Sequence, residues 1–249
     1  MGKPESVVSS EQLSEIARGR SRTYGVLAEV LNQMPSLKLL RALEAAEPLW
    51  AFELDAAAAD AAASLREALS QVATEAVEEA SPLSELMTGL AVERTRLLRG
   101  VRPGYGLPPA CESVYRHGVE NGRGSRGPAH VWAAVSAEYQ RVSFGIPKGL
   151  QPDYIGVEVS FLASLSNLEA EAWTRDDPSA ALATAGLEVA FLDGHPLSWI
   201  GSLVHRVEAE ASGSFWPALL ATLEGHLRMD REYLEELLHQ PRTGLDNAW

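Results

Sequence analysis

Six side chains in this 249-residue chain have the types and the settings to do chemistry. Asp153 and Tyr154 follow Pro152, Glu112 and Tyr115 follow Pro108-Pro109, Glu158 comes one turn after Tyr154, and His195 lies between two helical patterns beside Asp193. An imidazole beside a carboxylate can do general acid–base work. A tyrosine next to an irregular, proline-bearing segment offers a ring edge and a hydroxyl to a peptide, which applies to Tyr105, Tyr115 and Tyr154. Each has a plainer reading. His195 can satisfy helix-end carbonyls, and Asp153 can favour the start of its own helix by placing charge at the positive end of the dipole. Glu158, Glu169 and Glu171 share one helical pattern and read as solvated charge. Trp132, Trp199 and Trp216 read as core anchors.

Other chemistries lack their residues. The six histidines include no pair at four-residue spacing and no His-Glu-x-x-His, so no metal set is formed. Gly-x-Ser-x-Gly and a Lys-Ser/Thr phosphate loop are both missing. The run Gly122 to Gly127 has the spacing of a dinucleotide fingerprint, but no strand precedes it, and it reads as a basic loop. Cys111 is the only cysteine, which rules out an internal disulfide and points to a reducing compartment. It reads as a small loop residue.

The elements that must position these residues are helical. Ser9 and Gln12 make a capping box for a helix running to about Gln33, with Leu13, Ile16, Ala17, Tyr24, Leu27, Ala28 and Leu31 on one face. A short helix from Leu37 follows, then an aromatic connector with Trp50 and Phe52. An alanine- and glutamate-rich helix covers 55–80, and another begins at Ser81-Pro82 and ends at Gly100. The loop 101–112 is rich in proline and glycine, and a helix from Pro128 leads to the cluster Gly145, Pro147, Gly149 and Pro152. A helix starts near Pro152 with Asp153 in its first turn, another starts at Asp177-Pro178, and Gly213-Ser214 precedes the last. The tail from Gln240 reads as frayed. No segment alternates with period two. The fold class is therefore all-α: a bundle of about nine to eleven helices in two contacting subdomains, 1–145 and 153–249, joined by a hinge at 146–152.

Composition narrows the partners. A net charge of −13 argues against a phosphate-backbone binder and suits a basic partner. No stretch has the length or apolarity of a membrane span, and the N-terminus lacks a secretory apolar core, so stable membrane insertion is not expected.

Three stretches carry a resemblance. Pro152-Asp153-Tyr154-Ile155-Gly156-Val157-Glu158-Val159, with Phe161-Leu162, resembles the central motif of the TorD/DmsD/NarJ-like redox-enzyme maturation chaperones. Tyr154 stands where that family usually has histidine. Leu90 to Leu98, then Pro108-Pro109 and Glu112-Ser113-Val114-Tyr115, is similar to its second signature, with Arg94 and Leu98 at two positions that are usually aromatic. Phe191-Leu192, His195, Leu197 and Trp199 are similar to the third. The resemblance implies a cytoplasmic, non-enzymatic chaperone without a cofactor. It would bind the twin-arginine signal peptide or the apo form of a molybdenum or tungsten oxidoreductase subunit, assist cofactor insertion and delay export.

The site so implied comprises Asp153, Tyr154, Glu158, Glu112, Tyr115 and His195. Asp153 would pair with a basic group of the client, and the tyrosines would pack on its apolar residues. A monomer or a domain-swapped dimer fits, and nucleic acid does not. The residues by themselves leave two other readings open: a small-molecule enzyme with an all-α pocket using Asp153, Tyr154 and His195, and a structural helical adaptor.

Overall fold

The computed structural model describes residues 8–46, 56–78, 80–101, 105–116 and 128–239. Trp50, Phe52, the glycine run 122–127 and the tail from 240 lie outside the described residues. Among those described, the chain is all-α. In order come α1 (Ser10–Asn32), α2 (Leu37–Glu44), α3 (Ala56–Glu78), α4 (Ala80–Leu98), α5 (Glu112–Tyr115) and α6 (Pro128–Arg141). They are followed by α7 (Ile155–Thr174), α8 (Pro178–Gly194), a 3-10 turn (Pro196–Ser198), α9 (Ile200–Glu210) and α10 (Phe215–His239). No described helix is long and apolar enough to cross a membrane.

Helix starts follow their capping chemistry. The Ser9 hydroxyl accepts the Gln12 N–H at 3.2 Å, and Gln12 Oε1 accepts the Ser9 N–H at 2.9 Å, which is the reciprocal pair read from the sequence. Asp177 accepts the Ala180 N–H at 3.0 Å, and Pro178 occupies the first turn of α8. The start of α7 is different. It begins at Ile155 with Tyr154 as N-cap, so Asp153 precedes the helix and does not sit in its first turn.

The N-terminal and C-terminal parts of the chain are in contact along whole helices. α1 lies along α7, α3 along α10, and α8 packs on both α7 and α10. Tyr24, Leu27, Leu31, Leu162, Leu165, Leu192, Trp199, Trp216 and Leu223 are all sealed from solvent in one continuous core. Trp199 and Trp216 are core anchors as expected, whereas Trp132 is 37% exposed because it sits on the outer face of α6.

A buried ion cluster sits within this core. Arg20 of α1 donates to Glu169 of α7, Glu188 of α8 and Asp230 of α10, and none of the four side chains is more than 2% exposed. Tyr24 adds its hydroxyl to Asp230 at 2.6 Å, Trp173 its indole N–H to Glu169 at 2.9 Å, and Ser166 its hydroxyl to Glu188 at 2.9 Å. Glu169 was expected on a solvated face together with Glu158. Both are fully buried, and of the three glutamates of α7 only Glu171 faces solvent. Burial pushes the Glu188 carboxyl well above the usual carboxylate range, with the negative neighbours Glu169 and Asp230 adding to the push and Arg20 opposing it.

Candidate functional site

The loop that follows α4 and the segment that precedes α7 are laced together by backbone. The Glu112 N–H donates to the Asp153 carbonyl at 2.9 Å and the Ile155 N–H to the Ala110 carbonyl at 3.0 Å, an antiparallel bridge between Cys111 and Tyr154. Tyr139 of α6 donates its hydroxyl to the Pro152 carbonyl at 2.8 Å, and the Cys111 thiol donates to Gln151 Oε1. The irregular backbone of this region is thus satisfied although it is buried, as it must be. Burial, with the Asp153 and Glu158 carboxylates nearby, pushes the Cys111 thiol up, so this cysteine is a buried, protonated tie and not a reactive group.

On this scaffold Glu112, Tyr115, Asp153, Glu158 and His195 come together, while the Tyr154 side chain turns to α1 and the end of α4. The Asp153 carboxylate accepts the Ser113 N–H at 2.9 Å, which makes it a cap for the short helix α5 and not for its own helix. Glu112 is fully buried and engages Arg116, which also donates to the Gly194 carbonyl at 2.9 Å, and His195, whose Nδ1 lies 2.8 Å from Oε2. His195 therefore meets a carboxylate from the proline loop, and not the helix-end carbonyls considered above.

Glu158 accepts the Trp199 indole N–H at 3.2 Å, and the Tyr115 ring lies 5.8 Å from that of Trp199. The Tyr154 hydroxyl donates to the Leu31 carbonyl at 2.8 Å, which Arg94 also reaches, and Arg99 covers the Tyr154 ring at 5.2 Å. The ring edges expected to face solvent do so only at Tyr105; Tyr115 and Tyr154 are buried.

Three carboxylates, Glu112, Asp153 and Glu158, thus share one sealed space with a half-exposed arginine and a nearly buried histidine. Burial first, then the charges of Glu112 and Asp153, pushes Glu158 well above the usual carboxylate range. Glu158 Oε1 and Asp153 Oδ1 have no hydrogen-bond partner among the described residues. Burial takes the Tyr115 phenol up to about 12, with Arg206 opposing the push and Cys111 adding to it. Among the described residues no group of histidines, cysteines and carboxylates is arranged to hold a metal. What this arrangement does chemically is clasp: it ties the proline loop, Gln151 and Pro152, α7 and the α8–α9 junction through hydrogen bonds.

A second set of contacts was not anticipated from the sequence. Glu93 of α4 accepts the N–H groups of Ser212 and Gly213 at 2.6 and 3.1 Å, and Arg96 donates to the Glu210 carbonyl at 2.7 Å. The Trp216 indole N–H donates to the Leu90 carbonyl at 3.1 Å. The second signature stretch therefore pins the turn between α9 and α10 onto α4. Glu93 and Arg96 lie three residues apart on one helix face, so both reach the same turn.

The sequence model of a family described as nitrate reductase delta subunit matches residues 52–205, more than half of the chain. No curated protein and no solved structure matches. The matched span contains the pinning residues of α4 as well as the proline loop, residues 146–152, α7 and the α8–α9 junction, which build the clasp. The chain belongs to the nitrate reductase delta subunit family.

Proposed function

We propose that this protein is a cytoplasmic maturation chaperone for a molybdenum- or tungsten-containing oxidoreductase. In this reading it binds the signal peptide, the apo form of the catalytic subunit, or both, assists cofactor insertion and delays export until maturation is complete. Membership in the nitrate reductase delta subunit family carries the reading. The strongly acidic chain supports it, since a client segment bearing paired arginines is drawn to such a field. Asp153, Tyr154, Glu158, Glu112, Tyr115 and His195 enter the reading as a closed clasp that a client reaches when the hinge opens. An enzyme using Asp153, Tyr154 and His195 is less well supported, because all three side chains are buried.

Copurification from the native host tests the reading. The full-length tagged chain is expected to bring down a large oxidoreductase subunit that lacks its cofactor. Recovery of only the mature, cofactor-loaded enzyme, or of no oxidoreductase at all, would overturn it.

A further inference from the structure

Away from the clasp, three surface depressions run into one another. The first, about 400 Å³, is apolar and is lined by Met34, Met87, Ala91, Val92 and Tyr105. Val92 also lines the second, about 470 Å³, where Leu86, Leu90 and Phe215 meet the pinned turn. Ser214 of that turn continues into the third, about 590 Å³, whose rim carries Asp60, Glu208 and Glu224. At these shared residues the three adjoin as a trough whose described lining is uncharged at the Met34 end and acidic at the Asp60 end.

At the apolar end Met34, Val92 and Tyr105 are 57, 50 and 44% exposed, a concentration of outward-facing apolar side chains that the core does not require. The two methionines can adapt their shape to an apolar guest. At the acidic end Arg228 is the one lining cation, and it is engaged by Glu224. Asp60 and Glu208 form no ion pair among the described residues, so the rim keeps a net negative charge. The middle is rigid, because Glu93 and Arg96 fix the α9–α10 turn to α4.

We propose that this trough is a docking site for a polypeptide segment with adjacent basic residues at one end and an apolar run beyond them. The basic end lies between Asp60 and Glu208, and the apolar run passes over Val92 onto Met34 and Met87. Charge complementarity fixes the polarity: an apolar run at the carboxylate rim would desolvate them without a partner, and a guanidinium over Met34 and Val92 would meet no carboxylate. The inference rests on the chaperone reading only for the source of the segment.

The probe is a synthetic peptide with two adjacent arginines followed by a leucine- and alanine-rich run, compared with the same peptide carrying glutamines in place of the arginines. Binding to the full chain is measured by fluorescence anisotropy. Asp60→Lys with Glu208→Lys is expected to weaken the arginine peptide about tenfold, equivalent to about 1.4 kcal/mol, and to leave the glutamine peptide unchanged. Val92→Glu is expected to weaken both peptides, since both share the apolar run. These positions are exposed, and circular dichroism checks that the variants keep their helix content. No binding by the wild-type chain, unaltered binding by the variants, or equal loss of both peptides in the acidic-end variant would each overturn the trough. Copurification separates the two ideas. An oxidoreductase subunit retained by variants whose peptide affinity is unaltered leaves the chaperone reading standing without the trough, and selective peptide binding with no oxidoreductase client does the reverse.

Discussion

Burial and the charges of Glu112 and Asp153 raise the pKa of Glu158, and the consequence is a stability that depends on pH in a definite direction. A carboxyl whose folded pKa is raised is most favourable to folding below its unfolded value of about 4.3, and its contribution is lost as pH rises toward the folded value. For Glu158 that loss therefore begins near pH 4 and continues upward. Glu158→Gln removes the titration, keeps an oxygen for the Trp199 indole N–H and offers an N–H₂ to Glu112 or Asp153. It is expected to be more stable than wild type by roughly 1–3 kcal/mol at pH 8, the range for relieving one buried unsatisfied polar group, with a smaller gain at pH 5. Urea unfolding at the two pH values measures this, and an equal gain at both would show that Glu158 is not the titrating group. Much of this buried polarity was legible in a pattern that is easily passed over. Arg20 falls between Ala17 and Tyr24 on the apolar stripe of α1, Asp230 between Leu227 and Leu234 on that of α10, and Glu158 between Ile155 and Leu162 on that of α7. A charge on a stripe position has to be buried, and it then needs partners of the kind seen here. Glu112 carried no such signal, because it opens a four-residue helix too short to show a period.

The helices themselves were legible wherever local chemistry decides their ends, as at Ser9 with Gln12 and at Asp177 with Pro178. The start of α7 was misjudged because Asp153 spends its carboxylate on α5, forty residues back in the chain, a tertiary choice that no local rule encodes. The pairing of α1 with α7 also has a local mark in Gly156, though its meaning shows only in space. A Cβ at this position would stand 2.2 Å from Asn32 Oδ1 and 3.0 Å from Leu31 Cβ, so glycine lets the two helices approach. Asn32 Nδ2 donates to the Gly156 carbonyl and to Ser160 Oγ, both at 3.0 Å, which fixes the register of that approach. Gly156→Ala is expected to cost about 1–3 kcal/mol, as overpacking in a tight contact does. Asn32→Ala, which removes the obstructing group, should recover part of the loss in the double variant. Simple additivity of the two changes in denaturant midpoints would show that the contact is not the cause.

At the scale of the whole molecule, the hinge read at 146–152 suggests two parts, while the Arg20 cluster draws its members from both sides of it: α1 on one side, α7, α8 and α10 on the other. A cluster shared in this way makes the parts stabilise one another. Arg20→Met leaves Glu169, Glu188 and Asp230 sealed from water with no guanidinium among them, and breaking a buried ion cluster from one side costs about 3–5 kcal/mol. That is a large share of the roughly 5–15 kcal/mol available to a folded domain. The effect should appear as a single unfolding transition shifted to lower denaturant, with helix content by circular dichroism and tryptophan fluorescence moving together. Trp173, Trp199 and Trp216 all lie on the C-terminal side, so they report on helices that contain no substitution. Lost packing and stranded charge can also be told apart. Without Arg20 the carboxylates favour their protonated forms, so the deficit should shrink as pH is lowered, and adding Glu169→Gln with Glu188→Gln should restore part of it at neutral pH. A fluorescence transition that stays in place while helix content falls earlier would mean that α1 unfolds by itself and that the two parts are not one cooperative unit.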